Sequence, residues 1–191
     1  SNGTQWTGGL SRPVGLTRTD TKTGKSITFK HNTSDPTSLT DDKVYSVYRD
    51  RKKNLWVGTI NGLDRLDEKT GKFIHFRHDP NNSNSLPDNW IWPIYEDSHG
   101  NLWIGTVRGG VSKFDPTSNT FVNFSYNPDD PTSINDNFIF SIYEDRGGII
   151  WIGTNTGGVN YFHPASQVFE RLTNSPSDKN SLSDNAVLAI H

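Results

Sequence analysis

Asp50, Asp97 and Asp145 each stand six residues ahead of a tryptophan, and Glu96 and Glu144 directly precede two of them. Adjacent carboxylates suit acid/base work, one giving a proton while the other accepts it. These recur at one turn in successive copies of a segment, however. A hairpin of the form Asp-x-x-Gly/Lys-Asn needs a side-chain acceptor for its own backbone amides. The structural role is therefore expected, and no catalytic residue is assigned. The loops 31–38, 78–85 and 126–133 are rich in Asp, Asn and Pro. They lack the glycine and closing glutamate of an EF-hand loop, so solvated turns are expected and no metal. His31 and His78 share a register and cannot form a close metal pair, while His99, His163 and His191 are isolated. The pairs Gly109-Gly110 and Gly157-Gly158 precede no helix and fit no nucleotide-loop pattern, and no Gly-x-Ser-x-Gly elbow occurs. No cofactor is expected.

These residues sit in a repeat. Asn54-Leu55-Trp56-Val57-Gly58-Thr59 returns as Asn101-Leu102-Trp103-Ile104-Gly105-Thr106 and as Ile149-Ile150-Trp151-Ile152-Gly153-Thr154, the tryptophans 47 and 48 residues apart. The match extends to Gly62-Leu63, Gly110-Val111 and Gly158-Val159, then to Phe73, Phe121 and Phe169. A second row holds Phe29, Phe76, Phe124 and Leu172. Self-similarity at this period marks a repeat architecture. Residues present in every copy maintain the copy, so Trp56, Trp103 and Trp151 are expected to be buried between blades, and function is sought where the copies disagree.

Each unit reads as four short strands, near 43–49, 55–59, 63–67 and 72–77, with turn residues between and no helical periodicity. Four strands per unit is the pattern of a β-propeller blade. Pro93 falls inside the first strand, and Ser46, Pro93, Ser141 and Ala189 share one position. A proline and small residues fit an innermost strand with a free edge, where blades converge.

The expected fold class is all-β, a propeller of four-stranded antiparallel blades. One domain or propeller fragment spans 1–191, with repeats near 1–42, 43–89, 90–137 and 138–185, and 186–191 starting a composite blade. The chain ends on an innermost-strand pattern, Val187-Leu188-Ala189-Ile190-His191, and begins with a degraded second strand, Gln5-Trp6-Thr7-Gly8. The two ends together would make that composite blade, giving about four blades in all. A cut through a longer propeller fits the same ends.

The composition narrows the partners. With 19 basic and 21 acidic residues well mixed, the net charge is −2 and no basic stripe exists, so nucleic acid is not expected. No apolar run approaches the ~18 residues that span a bilayer, so no membrane contact by this segment is expected. Cysteine is absent, which removes disulfides and thiol chemistry. Hydrophobic residues make up only 31% but aromatic ones 12%, so a few large rings must supply much of the core.

Tyr95-Glu96-Asp97-Ser98-His99-Gly100-Asn101-Leu102-Trp103-Ile104-Gly105-Thr106, with Gly110-Val111 and the Asn-Ser-Leu segment at 84–86, resembles the two-component-regulator propeller repeat. The resemblance covers nearly the whole chain. It implies the periplasmic sensor propeller of a hybrid histidine kinase, an oligosaccharide ligand and downstream kinase modules. In that family the full sensor is much longer, so signalling is inherited from the resemblance alone.

Symmetry breaking supplies the candidate site. The residues flanking the first aliphatic of the innermost strands are Lys43/Tyr45, Trp90/Trp92, Phe138/Phe140 and Ala186/Leu188. The turns holding Asn61, Arg108 and Thr156 come to the same face. Lys43, Tyr45, Asn61, Trp90, Trp92, Arg108, Phe138 and Thr156 are taken as ligand-binding, able to stack sugar rings and to hold a carboxylate or sulfate. Packing between blades is the competing role for these rings. Two functions remain open beside a carbohydrate lyase or hydrolase: a non-catalytic ligand sensor, and a half-propeller that self-assembles as a homodimer. Closing a ring of four blades turns each through about 90°, against about 50° for seven or eight, which favours pairing.

Overall fold

The computed structural model describes residues 3–9 and 13–190, which form fifteen β-strands and no helix. The first sheet has three strands: β1 (Thr4–Thr7), β2 (Leu16–Asp20) and β3 (Ser26–Phe29). Three four-stranded sheets follow. They are β4 (Val44–Arg49), β5 (Leu55–Thr59), β6 (Gly62–Asp67) and β7 (Lys72–Phe76); then β8 (Ile91–Glu96), β9 (Leu102–Thr106), β10 (Val111–Asp115) and β11 (Thr120–Phe124); and finally β12 (Ile139–Glu144), β13 (Ile150–Thr154), β14 (Val159–His163) and β15 (Val168–Leu172). All are antiparallel meanders in chain order, with β8 standing between β4 and β12 on the inner side. These are propeller blades. Pro93 lies in β8, which pairs on one side only, as an innermost strand should.

Strand alternation gives each four-stranded blade two apolar faces, and one kind of seam joins each sheet to the next along the chain. Trp56, Leu63 and Phe76 of the β4–β7 blade pack on Ile91, Leu102, Ile104, Phe114 and Phe121 of the following one. Trp103 and Val111 repeat this against Ile139, Ile150, Ile152, Phe162 and Phe169. Leu16, with Trp6 and Phe29, does the same against Leu55, Val57, Leu66 and Phe73. The glycine after each tryptophan is demanded by this approach. A Cβ on Gly105 would lie 2.5 Å from Pro93 Cγ and 2.7 Å from Ile139 Cγ2 of the next blade.

The recurrent aspartate pins the seam. Asp97 Oδ1 accepts the amides of His99 (3.0 Å) and Asn101 (2.8 Å), and its Oδ2 accepts Asn101 Nδ2 (2.8 Å) and the Trp103 indole N–H (2.9 Å). Asp50 holds Trp56 Nε1 at 2.9 Å and Asp145 holds Trp151 Nε1 at 2.8 Å. The hairpin role expected from sequence is present, and the indole bond adds to it. The glutamates do something else. Glu96 Oε2 accepts the Arg51 amide at 2.9 Å, and Glu144 accepts the Ser98 amide (2.5 Å) and hydroxyl (2.6 Å), each latching the preceding blade's hairpin.

Two expectations need correction. The composite blade has three strands among the described residues: 186–190 form no strand and no ladder to β1, and His191 lies outside the described residues. Residues 186–190 do occupy the next innermost position, since Val187 N donates to Thr154 O (2.9 Å) beside Gly153. No buried cluster joins β12–β15 to β1–β3 among the described residues, so the sheets make an arc. The reason lies on the outer face of the first sheet. Gln5, Thr7, Thr19 and Ser26 stand where the next blade has Leu55, Val57, Leu66 and Phe73. Hydroxyl pairs Thr17–Thr28 (3.1 Å) and Thr19–Ser26 (2.9 Å) cover that face. Second, Trp151 is only partly buried, because no following blade covers it; Trp56 and Trp103 are 2% and 1% exposed.

Trp103→Ala should therefore cost about 3–5 kcal/mol in chemical denaturation, and Trp151→Ala distinctly less. Equal losses would contradict the seam assignment. Burial pushes the Asp97 carboxyl up, but its bonds from Trp103, Asn101 and His99 prevail and hold it below the ordinary range. Its contribution is present above the unfolded pKa of about 3.9 and is lost as pH falls through the lower folded value. The stability gap between the native protein and Asp97→Asn should accordingly narrow as acid is added, which thermal melts across pH would show.

Candidate functional site

The innermost strands carry a repeated irregularity. Val44 pairs with Thr59 and Ser46 with Gly58, so Tyr45 is an extra residue in its ladder. Phe140 is the extra residue between Ile139 and Ser141, and Trp92 with Pro93 lies between the paired Ile91 and Ile94. A bulge of this kind re-aims a side chain out of the strand's alternation. The outcome is one half-buried aromatic wall across three blades.

Tyr45 meets Trp90 at 5.6 Å between centroids and Trp92 at 5.2 Å. Trp92 meets Phe138 at 5.8 Å and Phe140 at 5.7 Å, and those two phenylalanines lie 4.4 Å apart. The hairpin tips are tied to the wall. Val107 N donates to Trp90 O and Asn155 N to Phe138 O, both at 3.1 Å. The Trp90 indole N–H is buried without a hydrogen-bond partner.

The structure thus brings Tyr45, Trp90, Trp92 and Phe138 together and adds Phe140. It does not gather the polar four. Lys43, Asn61, Arg108 and Thr156 are exposed at the loop end and hairpin tips. Arg108 offers its amide to Asp88 Oδ2 (3.1 Å), and Thr156 gives both amide (2.6 Å) and hydroxyl (2.8 Å) to Asp136 Oδ2. The arrangement offers flat apolar rings with a sparse polar rim. That suits stacking and does not supply a proton donor and acceptor at one point. Clefts also open between blades near the pinned tryptophans, one beside Asp50, Trp56, Arg65 and Phe114 and one beside Asp97, Trp103, Lys113 and Phe162. They recur with the repeat and belong to the seam. Among the described residues no group of His, Asp or Glu is placed to hold a metal.

Sequence reasoning missed one buried polar group. Asp64, wholly buried, faces His75 across β6 and β7, and the signal was available only once those strands were set in register. His31 and His78 serve their loops, each Nδ1 bonding a backbone carbonyl, Leu39 O (2.8 Å) and Leu86 O (2.7 Å).

Fold and wall together define a β-propeller with an aromatic inner face. Residues 38–61, 85–108 and 133–156 each match the two component regulator propeller family. The extracellular domain of a protein assigned as a hybrid two component system of B. thetaiotaomicron is 27% identical over 90% of this chain and 24% of its own, with a TM-score of 0.74. Another structure of that same B. thetaiotaomicron extracellular domain, there assigned to a one component system, is 24% identical over 97% of this chain and 23% of its own, at 0.77. Virginiamycin B lyase of Staphylococcus aureus shares the fold at 13% identity, over 93% of this chain and 61% of its own, at 0.61. The chain spans about a quarter of the length of that extracellular domain. No curated protein matches it. Among the described residues no helix is long and apolar enough to cross a membrane.

Because Trp92 is half-buried in a wall open on one side, Trp92→Ala should lower the melting temperature less than Trp103→Ala. An equal or larger loss would make the wall a packing element.

Proposed function

We propose that this chain is a non-catalytic ligand-binding part of a periplasmic sensor propeller in a two-component signalling receptor, and that its ligand is an oligosaccharide. The observation that carries the reading is the aromatic wall, built at positions where the chain's own repeats differ from one another. Sugar rings present apolar C–H faces that stack on such rings, and a few polar groups at the rim fix orientation. Trp90, Trp92, Tyr45 and Phe138 supply the platform, while Lys43, Arg108, Asn61 and Thr156 form the rim. Residues 1–191 act as one propeller unit, and kinase modules are the partners to which binding is reported. Nucleic acid and membrane have no part in it. The likeness to extracellular domains supports the location.

The way the carboxylates are used supports a role without catalysis. Asp50, Asp97 and Asp145 are committed to amides and indoles, Glu96 and Glu144 to the neighbouring hairpin, and Asp64 to His75. The lyase at 13% identity shares the fold alone. Self-assembly is the second reading, favoured by the uncovered face holding Trp151 and Tyr161. Head-to-tail pairing would set that face on the hydroxyl-covered side of β1–β3, which offers no apolar partner.

Calorimetry against a panel of neutral and acidic oligosaccharides, run beside a turnover assay, tests the proposal. At least one glycan should bind with no product formed, and Trp92→Ala should weaken it by about tenfold or more. Silence across the panel, or product abolished by Glu96→Gln, would overturn it; sedimentation of the same samples reads the self-assembly alternative.

A further inference from the structure

The cross-strand pair beneath each incoming inter-blade loop is filled differently in each blade. In the β8–β11 blade Ser112 Oγ donates to Asn123 Oδ1 (2.7 Å), and Asn123 Nδ2 donates to the carbonyls of Ser83 (3.0 Å) and Ser85 (2.7 Å). In the β12–β15 blade Asn160 Nδ2 donates to Asn135 Oδ1 (2.7 Å), and Asn135 N donates back to Asn160 Oδ1 (3.1 Å). Both are neutral. The β4–β7 blade instead buries a carboxylate completely. Asp64 Oδ2 accepts the Thr40 amide (2.8 Å) and hydroxyl (2.7 Å), and Asp64 Oδ1 lies 2.6 Å from His75 Nδ1. The other ring nitrogen, Nε2, lies 2.8 Å from the Pro36 carbonyl.

Both groups facing the imidazole are acceptors. A neutral imidazole carries one N–H and can satisfy only one of them, leaving a lone pair against the other oxygen. The imidazolium satisfies both, and it also neutralises a carboxylate that burial would otherwise penalise.

We propose that His75 is a proton-dependent clasp on the inter-blade loop 31–42. Protonated, it fastens Pro36 to β7 and balances Asp64; deprotonated, it keeps one acceptor and releases the other. The loop enters β4 at Lys43 and Tyr45, and Thr40 Oγ1 also meets Thr59 Oγ1 (3.0 Å), which orders the hairpin carrying Asn61. The clasp therefore sets the share of the wall that the β4–β7 blade supplies, an inference that rests on the proposed binding role only for its consequence.

The charged and titratable groups around it are Asp64 on β6, Asp35 and His31 in the loop, Lys72 at the start of β7 and Arg77 past its end. The Asp64 hydrogen bond raises the His75 pKa above its ordinary value, opposed by burial and by Arg77. Asp35 is held low by the Thr37 hydroxyl and amide and stays charged throughout. The clasp is therefore complete below the unfolded pKa of about 6.5 and is lost as pH rises through the higher folded value.

Hydrogen exchange on the intact chain tests this, with loop 78–89 as internal reference for loop 31–42. Protection of 31–42 relative to 78–89 should fall between about pH 5.5 and 8.5, by up to about tenfold for each unit by which the pKa is raised. Asp64→Ser with His75→Asn, which installs the neutral pair of the β8–β11 blade, should give a flat ratio. A flat ratio in the native protein, or the same slope in the double variant, overturns the clasp. Should the double variant not fold, the His75 ring titration in the native protein decides, and a midpoint at or below about 6.5 overturns it. No ligand enters the assay, so its failure leaves the binding reading standing.

Discussion

The seam between consecutive blades is the constraint on which this structure depends. A four-stranded sheet cannot hide both faces by itself, and the two interior blades, β4–β7 and β8–β11, each bury one face on the blade before and the other on the blade after. Trp56 and Trp103 each carry an indole N–H into the apolar layer of a seam, where leaving it unpaired would be costly, as it is left at Trp6 in the first seam. The aspartate six residues upstream removes that cost and closes its own hairpin with the same carboxylate. One side chain thereby couples a local turn to long-range packing, which explains why the Asp and Trp recur together.

Where the seam fails, the architecture changes. The first sheet turns a hydroxyl face outward and accepts no blade there, and the last blade leaves Trp151 half-covered. Inside the arc, the bulges in β4, β8 and β12 free one residue per blade from ladder duty. Those freed positions hold tyrosine, tryptophan and phenylalanine in turn, so the scaffold repeats while the surface it presents does not.

Much of this was legible in the chain because it is periodic. The Trp-x-Gly-Thr copies, the proline at 93 and the small residues at 46 and 141 identified blades and their innermost strands without any knowledge of contacts. The aromatic positions at 45, 90, 92 and 138 were found as departures from the period. Three features escaped for one physical reason: they depend on which residues stand opposite across strands. The polar run Gln5, Thr7, Thr19 and Ser26 lies on a single face only after β1–β3 are registered, so the first sheet looked like a worn copy able to close a ring. Glu96 and Asp97 are neighbours in sequence but point to different blades. Asp64 and His75, eleven positions apart, become a pair only through the β6–β7 ladder.

The indole N–H resonances of the six tryptophans separate scaffold from wall in one spectrum. Titrated with an oligosaccharide that binds, Trp90 and Trp92 should shift while Trp56 and Trp103, pinned in the seams, stay in place. Shifts confined to Trp56 and Trp103, or spread evenly over all six, would contradict the division between a seam that holds the fold and a wall that meets the ligand.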